Sequence, residues 1–455
     1  MTRSVGEREG LYGATGSEAA QRAALTGGEV PVAVYGLGKM GLPLAAVYAA
    51  VTGDTVGVDV DPAVVSAVEH GESPVEREPG LDDLVADVVA AGDLRATTDG
   101  KRAAAAAAVH VLMVPTLLTD DDEPDLRLLD EVATTVGRGL SPGDAVFVES
   151  TVPPRTTADR VVPALTAESG LSPDAIGAAA CPERTVSGQA LSDIQGTHPK
   201  VVGGVDDEST RVAELVYGEI TDNEVVATDD AATAEAVKVF EGVYRDANIA
   251  VANQLATFAR EMDVDVREAI AVANTQPFCD LHDPGPGVGG HCIPVYPHFL
   301  AGAFDADASL LRAARETNDG MYEFAVANLE AVLAAEGVDL DGADVLVLGV
   351  TYKANVKELR NAPALALIRE LDARGATVRA VDPLVDDWSA VAGATPLSLS
   401  EATTRSHDGV VLVTPHDEFA DLDWDALEAP ILDGRDAIDE STVDAPVYTL
   451  GGRWP

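Results

Sequence analysis

Lysine is scarce in this acidic sequence, with six residues. The 455 residues include 77 Asp and Glu against 30 Lys and Arg, which gives a formal net charge of −47 at pH 7. The lysines are Lys39, Lys101, Lys200, Lys238, Lys353 and Lys357. A field of this sign repels nucleic acid and anionic membrane, so neither is an expected partner. An acidic, lysine-poor surface is typical of halophilic proteins, and each remaining lysine becomes a stronger candidate for a specific role.

Cysteine is also scarce, and no long apolar run occurs. Cys181, Cys279 and Cys292 form an odd, sparse set, which predicts a reducing, cytoplasmic environment rather than a disulfide framework. The longest apolar stretch, residues 103–114, is too short to span a bilayer. Residues 1–30 contain no apolar signal-peptide core, and we predict a disordered N-terminal lead-in there.

Short apolar runs alternate with helical patterns through most of the chain. The strand-like runs fall in two sets, at residues 32–35, 55–58, 109–114 and 145–148 and at residues 345–348, 377–381 and 410–413. Such alternation predicts parallel sheets covered by helices. Between the two sets, residues 230–262 have the spacing of a long helix. The predicted fold class is α/β, with two α/β domains joined by a helical middle.

A glycine-rich turn follows the first strand-like run. Residues 36–41, GLGKMG, match G-x-G-x-x-G between a strand and a helix, where glycines permit a tight turn and close approach of a pyrophosphate. Asp59 follows the next run, at the position of an acid that binds ribose hydroxyls and disfavours a 2′-phosphate. We therefore predict NAD as the cofactor. The expected contacts are Gly36, Gly38, Lys39, Met40, Gly41 and Asp59, with Pro115, Thr116 and Thr151 at further strand ends.

A second loop, residues 285–294 (GPGVGGHCIP), presents a soft nucleophile, Cys292, after a run of glycines. Cysteine can trap an aldehyde as a thiohemiacetal, whose oxidation gives a thioester that water cleaves. The alternative is an inert buried cysteine. Glu183 is a candidate acid or base, and the ammonium of Lys238 could stabilise an alkoxide, although either could be a surface charge. We interpret Cys181 as structural and predict no metal site, because His282, His291 and His298 lack tight ligand spacing.

Taken together, these motifs resemble those of the UDP-glucose/GDP-mannose dehydrogenase family, and within it the UDP-N-acetyl-D-mannosamine dehydrogenase branch. The resemblance covers residues 31–450 and rests on GLGKMGLP (36–43), VPT (114–116), ESTVPP (149–154), CPER (181–184), EAVKVFEGVYRDANIAVANQLA (235–256), GPGVGGHCIP (285–294) and LGVTYKANVKELRNAPAL (348–365). It implies two Rossmann-like, doubly wound parallel-sheet domains around a central helical domain that forms a homodimer. The implied domains are an NAD-binding one at 31–205, the central one at 206–325 and a nucleotide-sugar-binding one at 326–455.

The resemblance also implies a reaction and a set of residue roles. The reaction is oxidation of a sugar's primary alcohol to a carboxylate by two NAD molecules. By motif position, Cys292 is similar to the thioester nucleophile, Lys238 to an oxyanion-binding lysine, and Glu183 to an acidic residue that aids hydrolysis. The positions similar to substrate contacts are Arg184, Arg245, Asn248, Gly289, His291, Lys353 and Arg360.

The chain departs from the family pattern at three places. Gly242 stands four residues after Lys238, where asparagine is usual, and Tyr296 stands four residues after Cys292, where aspartate is usual. Residues 274–279 lack the arginine that the amino-sugar branch tends to carry before the cysteine loop. These departures bear on which sugar is oxidised and on whether oxidation runs to completion.

Several functions remain open at this level. The GGHC loop favours UDP-N-acetylmannosamine or UDP-N-acetylglucosamine, whereas GGSC is usual in enzymes for UDP-glucose or GDP-mannose. Gly242 and Tyr296 would suit a non-catalytic paralogue that only binds NAD and nucleotide sugar, but the presence of Cys292, Lys238 and Glu183 opposes that interpretation. A two-electron hydroxyacid dehydrogenase would leave the cysteine loop unexplained.

Overall fold

The computed structural model describes residues 10–186 and 188–453. The chain forms two compact units, Met1–Phe240 and Glu241–Pro455. Neither unit matches one of the domain ranges expected from the resemblance, and those ranges stay a prediction.

The first unit is built on a mostly parallel sheet. Its strands are β1 (Val32–Tyr35), β2 (Thr55–Val58), β3 (Leu94–Thr97), β4 (Val109–Leu112), β5 (Leu117–Leu118), β6 (Pro124–Asp125), β7 (Ala145–Val148), β8 (Gly177–Ala180), β9 (Lys200–Gly204) and β10 (Val225–Ala227). The main sheet has the order β10-β9-β8-β7-β4-β1-β2-β3, with β8 and β9 antiparallel and the other neighbours parallel. The strand order reverses between β1 and β4, and ligands bind in the crevice beyond such a point.

Helices cover both faces of this sheet. They are α1 (Glu18–Thr26), α2 (Gly41–Thr52), α3 (Pro62–Glu69), α4 (Leu81–Ala91), α5 (Gly100–Ala106), α6 (Arg127–Gly137), α7 (Val162–Ser169), α8 (Ala190–Ser192) and α9 (Asp207–Ile220). The sequence of α2, GLPLAAVYAAVT, is apolar on all sides, which suits a helix that is buried almost throughout. Gly53, in the left-handed region at φ +71°, ends it.

The predicted disordered lead-in is wrong for residues 10–30. The side chain of Ser17 caps α1 by accepting the N–H of Ala20. Leu11 and Leu25 are fully buried in the core, and Arg22 pairs with Glu219 of α9 at 2.7 Å. Apolar and ionic contacts made far along the chain therefore order a segment that has only a weak local signal. Residues 1–9 lie outside the described residues.

A long helix, α10 (Ala231–Ala256), contains the boundary between the units. The later helices are α11 (Ala259–Met262), α12 (Val266–Ala273), α13 (Tyr296–Ala301), α14 (Ser309–Asp319), α15 (Met321–Ala335), α16 (Pro363–Ala373) and α17 (Leu399–Ala402). The strands of the second unit are β11 (Asp344–Leu348), β12 (Thr377–Val381), β13 (Ala394–Pro396), β14 (Gly409–Leu412), β15 (Ile431–Asp433) and β16 (Val447–Thr449).

The second sheet is parallel throughout, in the order β13-β12-β11-β14-β15-β16. Apolar clusters fill both of its faces, one around Leu329, Val347 and Leu367 and the other around Leu346, Leu412 and Leu427. Two parallel-sheet α/β regions with a helical segment between them confirm the predicted fold class.

Candidate active site

The glycine loop between β1 and α2 has the shape that the sequence predicts. Gly36 has φ +98°, and a Cβ there would lie 2.1 Å from the carbonyl oxygen of Met113. A Cβ on Gly41 would lie 1.9 Å from the carbonyl oxygen of Gly36. Gly38, in contrast, faces open space, with no atom within 4 Å of its Cβ position. The first and third glycines are thus required by packing, whereas the second leaves room for a pyrophosphate.

The start of α2 suits an anion. No side chain caps this helix terminus. Unsatisfied N–H groups and the helix dipole favour negative charge at such a position. Lys39, which is exposed, adds a positive charge beside it. The chain's own groups therefore fit the pyrophosphate of a dinucleotide.

Asp59 lies directly after β2 and braces this loop. Its Oδ2 accepts the N–H of Leu37 at 2.8 Å, and its Oδ1 accepts the N–H of Asp61 at 2.9 Å. The side chain is half-buried. Each carboxylate oxygen can accept a second hydrogen bond, so Asp59 can still bind ribose hydroxyls. This geometry fits NAD.

The loops after β4 and β7 are joined by hydroxyl groups. Thr116 donates its hydroxyl to the carbonyl oxygen of Thr151 at 2.6 Å, and Ser150 donates to the carbonyl oxygen of Val114 at 2.8 Å. Pro115 is exposed beside them. The structure thus brings the three predicted strand-end residues together at the same edge of the first sheet as Gly36.

Glu149, which directly follows β7, is the centre of a buried network that the sequence did not reveal. Its two oxygens accept the ammonium of Lys200 at 2.6 Å and the hydroxyl of Tyr217 at 2.5 Å. Lys200 also donates to the carbonyl oxygen of Cys181 at 2.7 Å. The scarcity of lysine was the available signal for Lys200. Burial raises the pKa of the Cys181 thiol, in agreement with a structural role.

Glu183 lies beside this network, in a cleft that is also lined by Met40, Glu149 and Lys200. Desolvation raises the pKa of its carboxyl group, and the nearby charge of Lys238 opposes the shift. The carboxylate accepts the backbone N–H of Thr185. A carboxyl group with a raised pKa, close to an ammonium group, is a candidate general acid or base. Arg184 instead donates to the carbonyl oxygen of Pro199 at 2.8 Å.

A second buried acid, Glu235, lies on α10 one turn before Lys238. It accepts the N–H and the hydroxyl of Thr157 at 2.7 and 2.6 Å, and the N–H of Arg155 at 2.5 Å. Burial raises its pKa to about 7. Glu235 therefore fastens α10 to the segment that follows the ESTVPP motif. Sequence reasoning missed this role because the contact spans 78 residues.

In the second unit, the glycines of the cysteine loop pack against residues 352–363. A Cβ on Gly289 would lie 2.7 Å from the carbonyl oxygen of Asn361, and one on Gly290 would lie 2.8 Å from the ring of Tyr352. The side-chain amide of Asn361 donates to the carbonyl oxygen of Gly290 at 2.9 Å. The loop leaves Cys292 exposed, so this cysteine is not buried, and its role as the nucleophile stays a prediction.

The start of the same loop is fixed by buried polar groups. Asn253 on α10 accepts the N–H of Gly285 at 2.9 Å and donates to Asn318 at 2.8 Å. Asn318 donates in turn to the carboxylate of Asp246, which forms an ion pair with Arg315. Desolvation raises the pKa of Asp246 and the charge of Arg315 opposes the shift. This network connects α10 and α14 to the loop that carries the thiol.

The remaining predicted contacts lie in different settings. Arg245, Lys353 and Arg360 are exposed, and His291 is half-buried with its ring 6.5 Å from that of Tyr352. Asn248 accepts the N–H of His282 at 2.8 Å and donates to the carbonyl oxygen of Asp280 at 2.5 Å, so its amide has a structural role. Substrate binding by these residues stays a prediction.

Within residues 10–186 and 188–453, no cluster of three or more His, Cys, Asp or Glu is arranged to hold a metal ion. None of the helices in the same residues is long and apolar enough to cross a membrane.

The fold and the glycine loop are those of a dinucleotide-binding protein, and comparison with known proteins identifies the family. The chain matches the NAD binding domain, the central domain and the UDP binding domain of the UDP-glucose/GDP-mannose dehydrogenase family over residues 30–221, 232–320 and 346–440. The chain belongs to this family, and it is an NAD-dependent nucleotide-sugar dehydrogenase. The predicted family and cofactor are confirmed.

Individual relatives carry more specific names. The UDP-N-acetyl-D-mannosamine dehydrogenase of Pyrococcus horikoshii is 34% identical over 90% of this chain and 97% of its own length. An NDP-N-acetyl-D-galactosaminuronic acid dehydrogenase of Ralstonia nicotianae is 33% identical over 88% of this chain and 94% of its own. The solved structure of a UDP-glucose dehydrogenase from Pyrobaculum islandicum superposes with a TM-score of 0.84 at 26% identity, covering 94% of this chain and 98% of that one.

Proposed function

We propose that this enzyme oxidises the C6 alcohol of UDP-N-acetyl-D-mannosamine to a carboxylate, giving UDP-N-acetyl-D-mannosaminuronate through a thioester on Cys292. One alcohol, two NAD and one water give one carboxylate, two NADH and three protons. The observation that carries the proposal is the exposed thiol at the end of a glycine loop that Asn361 and Tyr352 hold in place. The sugar is inferred from the GGHC sequence and from relatives named for N-acetylated sugars.

The chain's own groups divide the chemistry between them. Bound NAD supplies the oxidising power by accepting a hydride at each oxidation. The thiolate of Cys292 adds to the intermediate aldehyde, so that the aldehyde stays attached until it is oxidised to the thioester. Lys238 stabilises the oxyanion, and Glu183 takes a proton from the water that cleaves the thioester. The raised pKa of Glu183 and the nearby charge of Lys238 support these two roles.

The proposed binding residues form two sets, one for NAD and one for the nucleotide sugar. Gly36, Gly38, Lys39, Met40, Gly41 and Asp59 hold NAD, with Pro115, Thr116 and Thr151 beside it. The nucleotide sugar contacts Arg184, Arg245, Asn248, Gly289, His291, Lys353 and Arg360. Exposure of Lys353 and Arg360 in the second unit supports a role in holding the diphosphate.

We also propose a homodimer formed through α10. Tyr244 and Val251 on α10, with Phe258 just beyond its C-terminal end, recur at seven-residue spacing and have 52%, 49% and 45% of their surface exposed. Large apolar side chains in such a row are typical of helix–helix interfaces.

Three unpaired cysteines support a cytoplasmic location. The uronate would supply cell-surface polysaccharide or glycoprotein glycans, and the acidic surface supports work at high salt.

The test is the NADH yield from a panel of nucleotide sugars. Purified protein in high salt, with excess NAD and limiting UDP-N-acetylmannosamine, UDP-N-acetylglucosamine, UDP-glucose or GDP-mannose, should release two NADH per UDP-N-acetylmannosamine. One NADH per sugar would show a two-electron dehydrogenase, and none would favour a non-catalytic paralogue. A higher kcat/KM on another sugar would replace the proposed substrate.

Matched cysteine variants test the mechanism in the same assay. Cys292→Ser should abolish formation of the acid, whereas Cys279→Ser, a half-buried cysteine in the same unit, should leave the yield at two NADH. Acid formation at the wild-type rate by Cys292→Ser would exclude the thioester mechanism.

A further inference from the structure

Gly242 and Tyr296, two of the departures from the family pattern, contact each other. A Cβ built on Gly242 would lie 2.0 Å from Cδ2 of Tyr296, and 2.9 and 3.0 Å from Cγ and Cε2. Real Cβ atoms do not approach an aromatic ring so closely, because interiors are close-packed and rings are rigid. The ring therefore occupies the volume of any side chain at position 242. With tyrosine at 296, glycine is the residue that fits on α10.

The surroundings make this contact a rigid one. Gly242 is buried in the middle of α10, where glycine is otherwise a poor helix former. Tyr296 is 6% exposed, and its ring lies 5.9 Å from that of the fully buried Phe299. The ring is thus held between the backbone of α10 and a second aromatic residue of α13.

Tyr296 is also connected directly to the reactive cysteine. It is the first residue of α13, and its N–H donates to the carbonyl oxygen of Cys292 at 3.1 Å. The N–H of Val295 donates to the same oxygen at 3.0 Å. The turn from Cys292 to Tyr296 is closed by these two bonds, so a ring fixed on α10 also fixes the backbone of the cysteine.

We propose that Gly242 and Tyr296 are a matched pair of positioning residues, in which the tyrosine ring seated on the glycine holds the Cys292 turn against α10. The two departures are then one exchange, because glycine on the helix makes the space that the tyrosine fills. The inference rests on the proposed function for the claim that Cys292 is the nucleophile. In this proposal, neither Gly242 nor Tyr296 donates or accepts a proton in the reaction.

The test combines single and double variants. Gly242→Ala adds one methyl group under the ring, and Tyr296→Ala removes the ring without any clash. Gly242→Asn and Tyr296→Asp each introduce one residue usual in the family, and Gly242→Asn/Tyr296→Asp restores a small polar pair. Tyr296→Phe keeps the ring and serves as the conservative variant.

The first readout is the rate at which iodoacetamide alkylates Cys292, followed by mass spectrometry of the peptide that contains it. Gly242→Ala and Tyr296→Ala should each change this rate about fivefold or more, while Tyr296→Phe keeps the wild-type rate. The double variant should lie closer to wild type than Gly242→Asn does. Wild-type rates in both alanine variants, or single effects that simply multiply in the double variant, would overturn the proposal.

The second readout is the kinetics with UDP-N-acetylmannosamine. Loss of thiol position should lower kcat about tenfold or more and change KM much less, because the sugar's binding groups are intact. A rise in KM as large as the expected loss of kcat, with kcat itself unchanged, would contradict a positioning role. If Gly242→Ala does not fold, Tyr296→Ala and the double variant still decide the matter. If wild type oxidises no nucleotide sugar, the proposed function fails, while the alkylation series still tests the pair.

Discussion

The two α/β units contain the same strand–loop–strand–acid arrangement and use it differently. In the first, the N–H of Gly36 donates to the carbonyl oxygen of Val58 and the N–H of Leu37 donates to Asp59. In the second, the N–H of Gly349 donates to the carbonyl oxygen of Val381, and the N–H of Val350 donates to Asp382. Gly349 has φ +79°, and its Cβ would lie 2.0 Å from the carbonyl oxygen of Thr414. The two hydrogen bonds of the first unit therefore have direct equivalents in the second.

The acids differ in what surrounds them. Asp59 is half-buried and keeps free acceptor capacity, whereas Asp382 is 6% exposed. One oxygen of Asp382 also accepts the N–H of Thr351 at 2.8 Å and lies 3.0 Å from Nε2 of the buried His416. His416 accepts the N–H of Asn355 on Nδ1, so its Nε2 carries the proton toward Asp382. The position that could hold a ribose in the second unit is thus filled by the protein itself.

The same strand–loop–strand–acid arrangement thus has a different use in each unit. In the first unit, an open acid and Gly38 leave room for NAD. In the second, the acid and His416 hold residues 349–362 as a fixed loop that bears the exposed Lys353. Equivalent substitutions are therefore expected to have different consequences in the two units.

The largest difference is expected for the paired glycines. Gly36→Ala should weaken NADH binding by on the order of 100-fold, because both the backbone conformation and the contact with Met113 oppose a methyl group. Gly349→Ala should leave the Kd for NADH unchanged and lower the stability of the second unit. NADH titration followed by fluorescence measures the first effect, with circular dichroism as the control for folding. Equal loss of NADH affinity in the two variants would contradict the division of roles.

Substitution of the paired acids should reduce stability more in the second unit than in the first. Asp382→Asn should lower the free energy of unfolding by about 3 kcal/mol, since an amide donor would face N–H donors and His416. Asp59→Asn should cost less than about 1 kcal/mol but weaken NADH binding about tenfold. All three tryptophans lie in Glu241–Pro455, so denaturation followed by tryptophan fluorescence reports the second unit, while far-UV circular dichroism reports the helices of both units. Comparable stability losses in both variants would show that Asp382 is not the more constrained acid.

The units should also respond oppositely to pH. Hydrogen bonds to His416 and backbone groups outweigh desolvation and lower the pKa of Asp382 to about 2. Its contribution, about 2 kcal/mol, should be present above about pH 4 and lost as the pH falls through 2. Burial raises the pKa of Glu235 to about 7, so its contribution, about 3 kcal/mol, is present below about pH 4.5 and lost as the pH rises through 7.

Hydrogen exchange measured as a function of pH separates these slopes. Protection of α10 near Glu235 should fall between pH 5 and 7 in the wild type and stay level in Glu235→Gln. Protection of β11 and β12 should be level over that range and fall only in strong acid. The same slope in Glu235→Gln as in wild type would show that another group is responsible.

The smallest effect concerns two lysines on the second loop. Lys353→Ala should raise the KM for the UDP-sugar about tenfold without changing the Kd for NADH, since an exposed ammonium would be lost from the diphosphate. Lys357→Ala is the matched control, because Lys357 forms a 2.8 Å ion pair with Asp386 in which both side chains are largely exposed. Breaking it should change stability by less than about 0.5 kcal/mol and leave KM unchanged. An equal rise in KM for both variants would show a general charge effect.

The sequence predicted features that are encoded locally. G-x-G-x-x-G prescribes backbone shape within six residues, so Gly36, Gly41 and the start of α2 could be placed from the sequence. Asp59 could be placed because it ends the adjacent strand pattern. Alternating strand and helix patterns likewise predicted both parallel sheets, which apolar burial then stabilises.

Features made by distant residues could not be predicted in this way. No glycine fingerprint marks Gly349, and His416 reaches Asp382 only because β14 lies beside β11 in the sheet. Gly242 and Tyr296 were visible as separate departures, but their contact depends on how α13 packs on α10. The ordering of residues 10–30 depends on α9, far along the chain. Each of these requires the tertiary fold, because no local pattern specifies the partner.

The most direct test of the account is to look for the acyl group on Cys292. Wild-type enzyme is mixed with NAD and UDP-N-acetylmannosamine, quenched in acid during turnover, digested and analysed by mass spectrometry. The account predicts a peptide containing Cys292 that carries the sugar-derived acyl group and is absent from Cys292→Ser. Acid formation at two NADH per sugar with that peptide unmodified at every quench time would contradict it.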